Sequence, residues 1–419
     1  MKDQGKGKAS FMIVMACALF FSASPDASAI PSFARLHGLP CQECHSSFPR
    51  LNQFGMAFKQ RGYRLPGQDG SYIWDQKAFP ISGILVGRLR VSHRDNPVTG
   101  ARLRSRSRFE LEEAELMAAG TIAPKVGYFL EFEQEIADGE NFTTDQAWVQ
   151  FSDVLPASLV NLRAGIMLNE FYYLSQKRRL TFQRYLSPIT FNVTGVELNG
   201  TWRRLRYAAG IVNDERNTPK KTTTTVTGGT TLTTTKNNPA NVNLENRLQG
   251  YYTWVTYTIA DQILGLRYIN TKSNSDNPAP VIDGRNRQQV DVTLDLSYGP
   301  GELILGYFQN WDIGGVNGQR RKNYLAEGIL EMIPETLFLD TRFELQDTHS
   351  VPGGPNNAST VNGTQVSANV SYYFRPNIRL IGEFDKVSGE GTGVFTLPSP
   401  NASATNSEER FMLGFQIGL

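Results

Sequence analysis

The connections between the predicted strands of this chain alternate between short and long from residue 80 to residue 419. Many segments there place apolar and polar residues in turn, which is the pattern of a strand with two unlike faces. Short connections such as 203–204 and 375–376 separate long ones such as 214–244 and 388–407. A soluble sandwich has no reason to sort its loops, whereas bacterial outer-membrane barrels have short periplasmic turns and long outer loops. The pattern predicts an all-β fold, an antiparallel outer-membrane β-barrel over residues 80–419.

About sixteen strands are expected in this barrel, and an even number is typical of bacterial outer-membrane barrels. They are predicted at residues 81–92, 105–119, 124–136, 142–152, 159–169, 190–202, 204–213, 245–259, 262–272, 287–298, 302–312, 322–332, 335–347, 364–374, 377–387 and 408–419. Strands of this length can cross a bilayer at a tilt, and closure leaves no unpaired backbone edge in lipid. With the chain entering from the periplasm, the long loops are predicted to face the cell exterior. A threonine-rich stretch at 222–235 is predicted to be a mobile external loop.

Residues 1–29 have the pattern of a cleaved secretory signal peptide. A basic start precedes an apolar stretch at 11–21, and small residues precede Ile30. Lipoprotein-type cleavage at Cys17 would leave an apolar stretch of only about six residues, so cleavage before Ile30 is preferred. The mature chain has no run of 18 apolar residues, so no transmembrane helix is expected. Export and the barrel pattern together predict the outer membrane of a Gram-negative-type bacterium.

The charge balance gives no sign of a nucleic-acid partner. The chain has 42 Lys and Arg against 40 Asp and Glu, a formal net charge of +2, and no long basic block. It also lacks a nucleophile elbow, a P-loop and a dinucleotide-binding fingerprint. No nucleic-acid partner is therefore expected, nor hydrolase or nucleotide chemistry of those types.

The pentapeptide at 41–45 has the Cys-x-x-Cys-His pattern of a c-type haem attachment site. The two thiols can add to the two vinyl groups of one haem, and the adjacent histidine reaches the iron as the proximal ligand. Cys41 and Cys44 are the only cysteines left once the signal peptide is removed. The motif predicts one covalently bound haem c, with His45 as the proximal iron ligand.

The haem motif lies in a small, partly helical segment predicted at residues 30–79. Fifty residues bury too little apolar surface to fold well alone, so we expect the segment to pack on the haem, through aromatic residues such as Phe48, Phe54 and Phe58, or to plug the barrel.

The distal haem ligand is left open by the sequence. Met56 lies on the predicted helix, and a thioether ligand would raise the haem potential, although methionine also fills apolar gaps in ordinary cores. His37 is the main rival for the distal position. His93 and His349 lie near the outer ends of predicted strands, where exposed surface histidines are the simpler interpretation.

Several short motifs around the haem site resemble one family of proteins. They are Phe33-Ala34-Arg35, the Cys41–His45 pentapeptide, Pro49-x-Leu51-Asn52, Phe54-Gly55, Phe58-Lys59 and Gly62-Tyr63. Together they resemble the fused monohaem cytochrome–porin family, outer-membrane c-type cytochromes that oxidise ferrous iron. The resemblance covers about residues 31–65, and the barrel matches only in architecture. It implies a haem-bearing plug in a sixteen-stranded barrel, an oxidoreductase that takes electrons from extracellular Fe(II) and gives them to a periplasmic c-type cytochrome.

Charged residues on the predicted lumen face fit this function without defining an iron site. Arginines at 102, 104, 106 and 108 share one strand phase with Glu110 and Glu112, and Glu131, Glu133 and Glu135 share the next strand's inward phase. Carboxylates are suitable ligands for Fe(II), but cross-strand ion pairs in a solvated lumen explain the same charges more simply.

Two other functions remain open from the sequence. The first is a solute-conducting porin whose haem segment is a structural or sensory plug. The second is an electron conduit that uses another donor or runs outward, since direction depends on potentials and partners that the sequence does not show.

Overall fold

Sixteen antiparallel strands close into one barrel in the computed structural model. The structure describes residues 32–76, 80–95, 102–136, 143–215, 220–227, 230–237, 250–272, 286–312, 318–349, 362–390 and 406–419. Each barrel strand pairs with the next one, and the last strand pairs with the first. The predicted all-β fold and strand number are confirmed. The predicted signal peptide lies outside the described residues, and the predicted domain boundary at residues 79–80 stays a prediction.

A small segment of two helices and two short strands precedes the barrel. Its elements are α1 (Ser32–His37), β1 (His45–Ser47), β2 (Arg50–Leu51) and α2 (Gln53–Gln60). Neither helix in the described part of the chain is long and apolar enough to span a membrane.

The sixteen barrel strands occur close to their predicted positions, and β10 and β11 lie in a segment that was predicted to be a loop. They are β3 (Ile81–Asp95), β4 (Arg102–Ala123), β5 (Val126–Glu135), β6 (Thr143–Leu155), β7 (Val160–Asn169), β8 (Phe191–Trp202), β9 (Leu205–Glu215), β10 (Lys220–Thr227), β11 (Thr230–Asn237), β12 (Gly250–Ile259), β13 (Gln262–Lys272), β14 (Asn286–Tyr298), β15 (Gly301–Trp311), β16 (Arg320–Ile333), β17 (Leu337–His349), β18 (Asn362–Arg375), β19 (Ile378–Glu390) and β20 (Asn406–Gly418). Of the strand predicted at 245–259, residues 245–249 lie outside the described residues.

Strands β10 and β11 form a hairpin that is separate from the barrel. Lys220 lies opposite Asn237, and Thr227 lies opposite Thr230. The connection predicted as a mobile external loop at 222–235 therefore contains two paired strands, while its mobility and its external position stay predictions. Threonine is β-branched and favours extended backbone, a preference that outweighed the loop-like composition.

The barrel is apolar outside and polar inside, as β14 shows. Its side chains at Asp291, Thr293 and Asp295 are 0 to 5% exposed, whereas Val292 and Leu294 on the alternate phase are 36 to 38% exposed on the outer surface. A soluble β-protein has the opposite arrangement, with its apolar face turned inward. The outward apolar face is that of a barrel built for a bilayer.

The N-terminal plug, residues 32–76, lies inside the barrel at the end where the short turns are. Its contacts reach several sides of the wall. The Tyr373 hydroxyl on β18 donates to the Phe48 carbonyl at 2.6 Å, and the Gln60 side-chain amide donates to the Gly200 carbonyl on β8 at 2.6 Å. Arg50 forms an ion pair with Glu302 at the start of β15.

The inward loop, residues 170–190, fills the lumen from the other end. Its apolar residues are buried, including Phe171, Tyr172, Tyr173, Leu174, Leu180, Phe182, Tyr185 and Ile189. On the far wall, Glu383 accepts from the backbone N–H groups of Phe182 and Gln183, at 2.5 and 2.8 Å. Glu344 accepts from those of residues 186 and 187. This long connection folds into the barrel, where its aromatic residues pack, and does not face the surroundings; the external side of the other long loops stays a prediction.

Candidate haem site

The Cys-x-x-Cys-His pentapeptide forms a tight turn that begins the candidate site. A 3-10 turn at Cys41–Glu43 follows the extended Pro40, and the Cys44 N–H donates to the Cys41 carbonyl at 3.1 Å. Both thiols are free, partly buried and on the wall of one cavity. Burial raises the pKa of both, that of Cys44 to about 11, with the neighbouring Glu43 charge adding to the effect. The turn therefore presents two protonated thiols to the same space.

His45 is held in the orientation that an iron ligand needs. Its Nδ1 lies 3.0 Å from the Arg50 carbonyl, which can only accept, so Nδ1 carries the proton and Nε2 keeps its lone pair. A histidine that binds a metal usually donates its other ring N–H to such a group. Burial lowers the pKa of His45 to about 4, so the ring is neutral at physiological pH. It lines the same cavity as the two thiols.

Helix α2 packs directly on the pentapeptide through Asn52 and Gly55. The Asn52 side-chain oxygen accepts from the Gly55 N–H at 2.9 Å and caps the helix. Its amide donates to the carbonyls of Gln42 and Glu43, at 3.0 and 2.9 Å. A Cβ at Gly55 would lie 2.1 Å from the Cys44 carbonyl oxygen, so only glycine permits this approach. These contacts give a physical reason for two of the motifs that surround the pentapeptide.

The cavity lies between the N-terminal plug and the inward loop and has a volume of about 210 Å³. One water needs only about 15 Å³ by the same measure, so the space suits a large group. Its apolar walls include Phe33, Phe48, Leu51, Phe58, Tyr63, Met117 and Phe129. Three cationic side chains, Lys59, Lys177 and Arg178, and two acidic ones, Glu115 and Glu131, also line it. A haem has an apolar ring and two carboxylate tails, so this lining fits a haem.

The structure brings together four of the five residues predicted for the site. Cys41, Cys44, His45 and His37 all line the cavity. Met56 is absent from the described lining; it is 3% exposed and packs in an apolar cluster with Phe58 and Tyr63.

The other residues considered in the sequence lie away from the cavity. Phe54 is not part of the described lining, although it stacks on Phe58. His93 on β3 accepts or donates a hydrogen bond at 2.9 Å with Ser105, and His349 is exposed at the end of β17.

Lys177 and Arg178 on the inward loop were missed by the sequence analysis. They follow an aromatic stretch in a connection that was predicted to extend outward, so nothing local placed them near the haem motif. The sequence feature that could have indicated their role is the run of basic residues at 177–179, which is unusual within an otherwise aromatic and apolar loop.

Several acidic residues of the lumen are paired with cations. Cross-strand ion pairs join Arg88 to Glu110 at 2.8 Å and Arg90 to Glu408 at 3.2 Å, which supports the simpler explanation of the lumen charges.

Three further carboxylates, on Glu113, Glu115 and Glu133, have oxygens within 4.8 Å of one another beside the cavity. The Lys177 ammonium lies 3.5 Å from Glu115 and 3.3 Å from Asp145, in the place that a metal cation would take. Of the predicted lumen residues, the side chains of Arg104 and Glu135 lie outside the described ones.

Known structures resemble this chain over about four fifths of its length. The outer membrane channel DcaP of Acinetobacter baumannii is 14% identical with a TM-score of 0.55, over 82% of this chain and 97% of that one. The anion-selective porin from Comamonas acidovorans is 12% identical with a TM-score of 0.52, over 81% and 98%. OmpF of Salmonella typhi, in a complex with daunomycin, is 12% identical with a TM-score of 0.51, over 81% and 98%. No family model and no curated protein matches the chain. The likeness shows that the chain has the fold of outer-membrane porins.

Proposed function

We propose that this protein is an outer-membrane c-type cytochrome that oxidises extracellular Fe(II) and passes the electrons to a periplasmic c-type cytochrome. The observation that carries the proposal is the Cys-x-x-Cys-His turn on the wall of a lumen cavity, with Nδ1 of His45 fixed by a backbone carbonyl. A chance pentapeptide has no reason to lie on a large apolar cavity with its histidine oriented in this way.

Each cavity residue has a role in holding the haem. Cys41 and Cys44 would form the two thioether links, and His45 would offer Nε2 to the iron. Lys59 and Arg178, which share the carboxylate of Glu170, are the cations placed to attract the two haem carboxylates, while Lys177 neutralises the neighbouring glutamates. The bound haem supplies one-electron redox chemistry, while the protein excludes water with its aromatic walls and keeps the ring out of lipid.

A haem inside the barrel solves the problem of moving electrons across an insulator. The hydrocarbon core of a bilayer is about 30 Å thick, which is too far for one tunnelling step. A haem held in the lumen divides that distance. Oxidation outside the cell also keeps poorly soluble Fe(III) out of the periplasm. The apolar outer surface of the barrel supports placement in the outer membrane, with lipid as its surroundings.

Iron as the donor rests on the resemblance of residues 31–65 to the fused cytochrome–porin family. The contacts of Asn52 and Gly55 agree with it, since two of the shared motifs build the support of the haem turn. Another donor, or outward electron flow, would use the same haem site, so the donor has to be tested directly.

A solute channel is the second candidate, and the porin fold favours it. Against it, the N-terminal plug and the inward loop both occupy the lumen and both form hydrogen bonds with the barrel wall. A channel would have to pass solutes around both segments, and it would leave the haem turn without a role.

Transmembrane electron transfer separates the two candidates. The full-length holoprotein is placed in proteoliposomes that contain oxidised cytochrome c, and Fe(II) is added outside. We expect the internal cytochrome to be reduced by the holoprotein and not by the haemless double variant Cys41→Ser, Cys44→Ser. If the haemless variant reduces it as fast, iron enters as a solute and the channel function replaces the proposed one.

A further inference from the structure

His37 has a buried ring nitrogen for which the protein provides no partner. It is the last residue of α1, and Gly38, with φ of +67°, turns the chain from the helix toward Cys41. The His37 ring lies edge-on to Phe58 at 5.6 Å and lines the cavity beside the haem turn. Its Nε2 is buried and forms no hydrogen bond with any described residue.

A buried nitrogen without a partner is unfavourable. Leaving such a group unsatisfied costs about 1–3 kcal/mol, and buried polar groups in native proteins nearly always have a partner. The His37 ring makes ring contacts with Phe33 and Phe58, whose centroids lie at 6.5 and 5.6 Å, and these aromatic rings offer no acceptor or donor of ordinary strength. Since no described residue supplies a partner, a group that fills the cavity is the one positioned to do so.

The other potential distal ligands are placed less well. His93 and His349, the remaining histidines of the chain, do not belong to the described cavity lining, and neither does Met56. Met117 on β4 does line the cavity. Its thioether, however, is a weak acceptor that packs in an apolar wall at no cost, so its position there requires no iron.

We propose that Nε2 of His37 is the second axial ligand of the haem iron. The inference rests on the proposed haem site and adds the residue that completes its coordination. Both axial ligands then belong to the N-terminal plug, so the iron is six-coordinate and closed to small external ligands. Imidazole in place of a thioether also sets a lower reduction potential than a His–Met pair would.

The test is the spectrum of the purified full-length holoprotein. In the ferric state we expect low-spin electron paramagnetic resonance and magnetic circular dichroism signals of two imidazoles, without the long-wavelength charge-transfer band of a thioether–iron bond. His37→Ala should become high-spin and gain binding of carbon monoxide in the ferrous state, and added imidazole should restore the low-spin signal. His93→Ala is the matched control and should keep the wild-type spectrum.

Two further variants keep the test decisive if His37→Ala folds poorly. His37→Met should acquire the thioether band and a higher reduction potential, whereas Met117→Leu should keep the two-imidazole signals. A thioether band in the wild type that disappears in Met117→Leu or Met56→Leu would overturn the inference and leave the haem site intact. A wild-type protein that carries no covalent haem would instead overturn the proposed function, and the inference with it.

Discussion

Asn52 is expected to act as a clamp on the haem turn as well as a helix cap. The substitution Asn52→Ala removes the helix cap, which contributes about 1 kcal/mol of stability. It also removes the two hydrogen bonds to the Gln42 and Glu43 carbonyls, which contribute about 1 kcal/mol each. Partial replacement by water gives a net loss of roughly 2–3 kcal/mol in the local stability of residues 41–55. Since 1.4 kcal/mol is a factor of ten, opening of this region should increase by roughly 30- to 140-fold.

Amide hydrogen exchange of the holoprotein, read in peptides from residues 41–55, measures this opening. Asn52→Asp is the matched variant, because its carboxylate still accepts from the Gly55 N–H but cannot donate to the two carbonyls. We expect it to exchange much faster than wild type, like the alanine variant. If Asn52→Asp exchanges like the wild type, the cap alone matters and the clamp does not exist. If Asn52→Ala also leaves exchange unchanged, the packing of α2 on the haem turn is wrong.

Three other predictions test the site and the topology. Gly55→Ala should sharply reduce haem attachment, because the added Cβ would lie 2.1 Å from the Cys44 carbonyl oxygen. Gly382→Ala on β19 is the control, since its Cβ meets nothing within 4 Å and the variant should load haem normally. Equal haem loading in the two variants would refute the close approach. Replacing either cysteine of the haem motif by serine should abolish or sharply reduce the haem stain of a denatured, acid-acetone-treated sample, and an unaltered stain in both would defeat the covalent assignment. An epitope tag near Thr225 should be reached by antibody on intact cells while one at Gly299 should not, and labelling at Gly299 would reverse the topology.

The barrel is predictable from sequence because its physics is local and repetitive. Apolar and polar residues alternate with the period of a strand, as in β14, and the connections are sorted by length. These signals recur along residues 80–419, so an error at one strand end does not change the strand number. The haem turn is predictable for the same reason, since its two thiols and His45 lie within five residues.

The inner surface of the barrel was less predictable because it depends on long-range packing. In the pairing of β3 with β4, Val86 lies opposite Glu113 and Gly87 opposite Leu111, so Glu112 is an extra residue. This β-bulge shifts the strand phase and turns Glu115 and Met117 toward the cavity. Counting every second residue onward from Glu110 and Glu112 would place Glu115 and Met117 on the outer face of the barrel. The bulge therefore cannot be found from the alternation in the sequence.

The inward loop shows the same limit. The burial of Phe171 and Tyr185 depends on strands that are far away in sequence, such as β16, where Glu327 accepts from the Tyr185 hydroxyl at 2.7 Å. The loop's position then decides which cations reach the cavity. In the same way, only the fold separates His37, which lines the cavity, from Met56, which does not.

Reduction of the haem by Fe(II) is the most direct test of the proposed function. The purified oxidised holoprotein is mixed with Fe(II) in a stopped-flow instrument at the organism's growth pH, and the Soret and alpha bands are followed. We expect rapid and complete conversion to the ferrous haem spectrum, with His45→Ala losing rapid reduction even where its haem stays attached. If the intact protein stays oxidised under excess Fe(II) while the barrel passes small solutes freely in planar bilayers, iron oxidation is contradicted and the protein is a solute channel.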